Sequence, residues 1–160
     1  MHQDSELRVL HVDDDPAVTR FVAAKLRDHG IEVTELHDPA RAVDMVLSEN
    51  YRIVLLDIDM PCLDGIELLQ RIKQIDGGTA VIMLTGIVSL SSALRAMRKG
   101  AHACLFKPLV DIEALVECIH EVDRNNRRWW NTLIQLSELR RQEHADSNAE
   151  HAPLLSLAEN

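Results

Sequence analysis

Aspartate, threonine and lysine close apolar runs at four separate places in this sequence. "HVDDDP" carries Asp13, Asp14 and Asp15, "LLDIDMP" carries Asp57 and Asp59, "MLTG" carries Thr85, and "LFKP" carries Lys107. Three carboxylates brought to one place repel each other unless a cation sits among them. Hard oxygen ligands of this kind suit Mg²⁺, bound through one or two carboxylates and a substrate phosphate. A carboxylate left free beside such an ion is a nucleophile toward phosphoryl groups. The group transferred spreads its charge over several oxygens and needs cationic and hydrogen-bonding partners. Lys107 supplies the charge, Thr85 a hydroxyl donor, and Gly86 leaves room beside the backbone.

The elements that must position these residues can be read from the apolar rhythm. "LRVLHV" (Leu7 to Val12) is a short strand. Asp15-Pro16 reads as an N-cap followed by proline at the first helical position. Val18, Phe21, Val22, Lys25 and Leu26 then come at mostly helical spacing up to Gly30. "IEVTEL" alternates as a strand does, and Asp38-Pro39 opens a second helix through Ala42, Val43, Val46 and Leu47. "IVLL" (Ile53 to Leu56) and "AVIML" (Ala80 to Leu84) are continuous apolar runs, as in strands covered on both faces. A helix through Ile66, Leu69 and Ile72 lies between them. A weaker helix spans Ser91 to Lys99, "AHACLF" is a fifth strand, and Asp111 caps a last helix from Ile112. Five βα units in succession predict an α/β fold with a doubly wound, five-stranded parallel sheet. Ligands of such sheets bind beyond the carboxyl ends of the strands. The chemical residues all fall at that edge.

Composition narrows the function classes. The 160 residues are 46% hydrophobic but only 3% aromatic, so the core is aliphatic. A formal net charge of −9 disfavours a nonspecific nucleic-acid binder. "MHQDSELR" has no apolar core of a signal peptide, and no run approaches a membrane span. Cys62, Cys104 and Cys118 fit neither a disulfide framework nor a zinc site, and read as reduced thiols of a cytoplasmic protein. The eight histidines show no metal-ligand spacing, and His120 reads as an exposed helical residue.

In order and spacing, "VDDDP", "LLDIDMPCLDG", "MLTG" and "LFKP" together resemble the receiver domain of two-component response regulators. The resemblance runs from Leu7 to about Arg124 and implies a flavodoxin-like (βα)5 domain. It implies phosphorylation of Asp57 by a sensor histidine kinase or phosphotransfer protein, with Mg²⁺ as cofactor and a downstream protein target. Carried over by position, Asp14 is a direct metal ligand, Asp13 acts mainly through a bound water, and Asp59 lends its backbone carbonyl. Thr85 and Lys107 match the family's switch hydroxyl and lysine, while Asp59 and Ile87 occupy positions that tune phosphoryl lifetime. One position departs from the pattern: Cys104 stands where receivers commonly carry an aromatic residue, so the readout cannot take its usual form. The resemblance implies a phosphoacceptor rather than an enzyme. Haloacid-dehalogenase-like phosphatases, which also use Asp-x-Asp, are the rival. Their nucleophilic motif usually opens the chain, and Pro61 stands where it expects Thr or Val.

Asp15 and Asp64 are read as helix caps rather than ligands, since aspartate commonly bonds nearby backbone amides. The expected organisation is a receiver over 1–124, a helical extension over 125–143 and a disordered tail over 144–160. Ile112, Leu115, Ile119, Val122, Asn126, Trp129, Leu133 and Leu136 form a heptad-like seam with Asn126 at one position. The segment 124–143 carries five arginines against Glu138 and Glu143, a local net of +3. The expectation is self-association, or docking to a partner protein, through the helix around Trp129, Leu133 and Leu136; folding back onto the domain is the alternative. The residues after Arg124 are too few for a DNA-binding domain of typical size. The receiver portion of a longer regulator is a further reading.

Overall fold

A computed structural model describes residues 7–86, 89–109 and 111–150, without the side chains of 144–150. Ile87 therefore lies outside the described residues. Two compact units divide the chain, Met1–Val122 and Asp123–Asn160.

The first unit alternates strand and helix: β1 (Leu7–Val12), α1 (Pro16–Arg27), β2 (Ile31–Leu36), α2 (Ala42–Ser48), β3 (Ile53–Asp57), α3 (Gly65–Ile75), β4 (Ala80–Thr85), α4 (Leu90–Arg98), β5 (Ala103–Phe106) and the start of α5 (Ile112–Glu150). All pairings are parallel, in the order β2-β1-β3-β4-β5. The doubly wound sheet and the long last helix are as the sequence leads one to expect.

Alternation along the buried strands splits the core in two. Leu10, Val12, Val54, Leu56, Val81 and Met83 face Val46 of α2, Ile66, Leu69 and Ile72 of α3, and Ala96 of α4. Val9, Ile53, Leu55, Ile82 and Leu84 face Val22 and Leu26 of α1 and Leu115, Ile119 and Val122 of α5. The helix starts are built as their caps predict. Asp15 accepts from the Ala17 amide at 2.8 Å, Asp64 from Ile66 at 2.7 Å and Asp111 from Glu113 at 3.0 Å.

Some elements differ from expectation. Phe21 is 49% exposed, and Thr19 takes the buried place on α1 through bonds to the Pro16 carbonyl and Glu35. Asp38-Pro39 opens a 3-10 turn (Pro39–Arg41) before α2, and Leu47 lies exposed. β5 begins at Ala103 rather than Ala101. His120 is half-buried rather than exposed.

In the second unit, α5 is helical through Glu150, seven residues beyond the point at which the sequence suggests that order ends. Asp123 and Arg127 form an i,i+4 ion pair at 2.8 Å. Trp129 is 70% exposed, and Leu133, Leu136 and Leu139 are exposed beside it. Residues 151–160, the rest of the expected tail, are outside the described part.

Candidate functional site

β1, β3, β4 and β5 end at one edge, and each delivers a polar group there. Asp13 and Asp14 come directly after β1, Asp57 closes β3, Thr85 closes β4 and Lys107 comes directly after β5. The backbone fixes these positions tightly. Asp57 pairs in register with Leu84, and Thr85 with Phe106. The Lys107 amide donates to the Thr85 carbonyl at 2.8 Å. The Asp13 amide donates to the Leu36 carbonyl at 3.1 Å, and the Asp15 amide reaches Asp13 Oδ1 at 2.9 Å. A cis peptide joins Lys107 to Pro108.

Among the described residues, Asp13, Asp14 and Asp57 bring carboxylate oxygens within 4.8 Å of one another. Asp13 and Asp57 are buried, and Asp14 is exposed. Lys107 Nζ spans the two buried members, 2.5 Å from Asp13 Oδ2 and 3.0 Å from Asp57 Oδ1. Burial raises the pKa of Asp57, because it penalises the charged form; the hydrogen bond and charge of Lys107 pull the other way and do not win. Burial by itself would lower the pKa of Lys107, but its bonds to Asp13 and Asp57 outweigh this and raise it. Lys107 is therefore a fixed cation between two acids. The donor set is all hard oxygen, with one exposed member on the open side, and it fits a small divalent cation such as Mg²⁺.

The remaining predicted positions fall less centrally. Asp59 has an exposed side chain, and its carboxylate does not join the cluster. Thr85 is buried at its strand end. A Cβ built on Gly86 meets no atom of the described residues within 4 Å. Cys104 packs against the α2–α4 side of the core, where burial raises its thiol pKa.

Two residues escaped the sequence reading. Gly65, which the sequence does not single out, lies hard against Asp57: a Cβ on it would stand 1.9 Å from the Asp57 carbonyl oxygen and 2.8 Å from the Ile58 Cα. Its amide donates to the Ile58 carbonyl at 2.9 Å, locking the start of α3 to the end of β3. His11, hidden in a strand-like run, is fully buried behind Asp13. The one signal for it was a polar residue in an apolar strand.

Fold and site together define a doubly wound α/β domain whose strand ends gather an acidic cluster around one lysine. Residues 9–120 match the family model described as "Response regulator receiver domain", and the chain belongs to that family. It contains the receiver domain of a two-component response regulator. The uncharacterized transcriptional regulatory protein YkoG of Bacillus subtilis is 32% identical over 118 residues, which are 74% of this chain and 51% of that protein. The C4-dicarboxylate transport transcriptional regulatory protein DctD of Pseudomonas aeruginosa is 35% identical over 72% of this chain and 25% of its own length. The chain thus spans about half or less of these relatives. A CheY-like receiver domain protein from Methanospirillum hungatei superposes with a TM-score of 0.71 at 31% identity, covering 78% of this chain and 99% of that one. The beryllofluoride-activated NtrC4 receiver domain dimer gives 0.69 at 28% identity, over 74% and 98%.

Proposed function

We propose that Asp57 accepts a phosphoryl group from a sensor histidine kinase or phosphotransfer protein. The observation that carries this reading is the placement of Asp57 at the sheet edge, in a cluster with Asp13 and Asp14 and within 3.0 Å of Lys107. An Asp57 carboxylate oxygen attacks phosphorus, and the bond from phosphorus to the donor breaks with its electron pair leaving on the donor. The burial that raises the pKa of Asp57 also strips water from its oxygens and favours attack. Lys107 and the Thr85 hydroxyl are the partners for the transferred oxygens. Asp13, Asp14 and Asp57, with the Asp59 carbonyl, are the groups that would hold Mg²⁺, whose charge offsets the repulsion between carboxylate and phosphoryl group. Water attack on phosphorus later releases inorganic phosphate and restores the carboxylate. The protein is thus its own substrate and not a turnover enzyme.

The output is a changed protein–protein contact through α4, β5 and α5, in a cytoplasmic setting. Exposed Leu90 and Met97 of α4, Phe106 of β5 and Trp129 of α5 support this. The helix around Trp129, Leu133 and Leu136 is the proposed surface for self-association, and a related receiver forms a dimer. No helix among the described residues is long and apolar enough to cross a membrane. Transcriptional control, which the relatives' names attach to longer proteins, is not carried over to this chain. Incubation with acetyl phosphate and Mg²⁺ tests the reading: the chain becomes labelled and Asp57→Asn does not. Sustained hydrolysis of small phosphate esters would instead support a phosphatase.

A further inference from the structure

The proposed reaction makes no use of His11. This residue lies two positions before Asp13, so strand alternation puts both side chains on one face of the sheet. Its Nε2 is 3.8 Å from Asp13 Oδ2, outside hydrogen-bond reach, and neither ring nitrogen has a hydrogen-bond partner among the described residues. The ring is fully buried, and in its neutral form it carries one N–H donor and one acceptor. Other polar groups nearby are already engaged. His37 Nδ1 contacts the Asp13 carbonyl oxygen at 3.1 Å, and Glu35, the register partner of His11, accepts from Thr19 Oγ1 at 2.5 Å. A buried donor left idle beside a buried carboxylate is disfavoured, and the two groups stand only 3.8 Å apart.

Occupation of Asp57 supplies the occasion for it. Lys107 Nζ now serves Asp13 Oδ2 and Asp57 Oδ1 together. A phosphoryl group on Asp57 presents new anionic oxygens to the same nitrogen. As Lys107 turns to them, Asp13, 1% exposed, loses a donor. We propose that His11 is a positioning residue that donates its Nε2–H to Asp13 Oδ2 when Lys107 is drawn to a phosphoryl group on Asp57. No proton changes owner. His11 holds the Asp13 carboxylate in place for the cation while the lysine is away, as outer hydrogen-bond partners orient metal ligands elsewhere. The inference rests on the phosphoacceptor reading of Asp57.

Ring-nitrogen NMR on the ¹⁵N-histidine-labelled full chain tests it, with and without Mg²⁺ plus beryllofluoride, which stands in for the phosphoryl group. The expected result is a neutral His11 protonated on Nε2, whose Nε2–H resonance moves to the hydrogen-bonded range on beryllofluoride addition. His11→Leu should weaken beryllofluoride binding roughly tenfold, and His11→Gln, which keeps a donor, should recover most of it, with matched thermal midpoints showing that both variants fold. Amide shifts at Asp57 and Lys107 with an unmoved His11 ring, or a ring protonated on Nδ1, overturn this inference alone. Equal beryllofluoride affinity of His11→Leu and the unsubstituted chain does the same. Absence of any beryllofluoride shift at Asp57 overturns it together with the reading it rests on.

Discussion

Lys107 Nζ stands 3.0 Å from Asp57 Oδ1 and holds Asp13 Oδ2 with the same nitrogen. One side chain from the end of β5 therefore neutralises the acids that close β1 and β3. Removing it leaves two buried carboxylates facing each other. Lys107→Met is expected to lose about 2 kcal/mol of folding stability in metal-free buffer, the scale of a lost charge-assisted hydrogen bond. Added Mg²⁺ should restore part of the deficit by returning positive charge to the cluster. Urea melts with EDTA and with Mg²⁺ measure both. An equal deficit in the two buffers would mean that the lysine and the cation do not act on the same acids.

The raised pKa of Asp57 makes a prediction of definite sign. The folded state holds the Asp57 proton more tightly than the unfolded chain, whose value is near 3.8. Asp57 thus favours folding most below that value, and the contribution is lost as pH rises through the folded pKa. At pH 7 the charged side chain opposes folding. Asp57→Asn should be more stable than the unsubstituted protein at pH 7, with the difference shrinking as pH falls toward 3.8. Denaturant midpoints of the two proteins across that range provide the check. A less stable variant at pH 7 would show that the Lys107 pairing outweighs burial.

Two glycines near the site should behave oppositely. Gly65→Ala drives a methyl group into the Asp57 carbonyl, 1.9 Å away, so β3 or α3 must shift. Overpacking of this kind costs about 1–3 kcal/mol, and labelling of Asp57 should slow with it. Gly86→Ala meets no atom of the described residues within 4 Å and should change stability by less than about 0.5 kcal/mol. Paired thermal melts and labelling time courses distinguish them; equal effects would contradict the close approach at Gly65.

The exposed apolar residues of α5 predict self-association. Sedimentation equilibrium should show a dimer whose affinity falls at least tenfold in the triple variant Trp129→Ser, Leu133→Ser and Leu136→Ser, because exposed side chains of this size carry most of their binding energy through burial. A strict monomer, with or without beryllofluoride, counts against that surface being used by a second copy.

Much of this was legible in the sequence for a physical reason. A parallel sheet covered on both faces writes its strands as apolar runs, and a charged residue at the end of such a run has to lie at the sheet edge. Asp13, Asp57 and Lys107 were found that way, and Asp15, Asp64 and Asp111 by cap chemistry. The Gly65 contact was not legible, because a close approach between the start of α3 and the end of β3 exists only once the chain has folded. His11 was masked by its strand. On α1, helical spacing put Phe21 on the apolar face, yet Thr19 is buried because its hydroxyl finds Glu35 across the helix–sheet gap. Pairing across elements, unlike periodicity within one, leaves no local trace.

The central claim is that Asp57 forms the covalent bond to phosphorus. Treating the chain with acetyl phosphate and Mg²⁺, reducing the acyl phosphate with borohydride and sequencing the peptides by mass spectrometry locates the modified residue. The prediction is homoserine at position 57, absent when Mg²⁺ is withheld. Reduction at position 13, 14 or 59 instead, or no reduced residue at all, would contradict it.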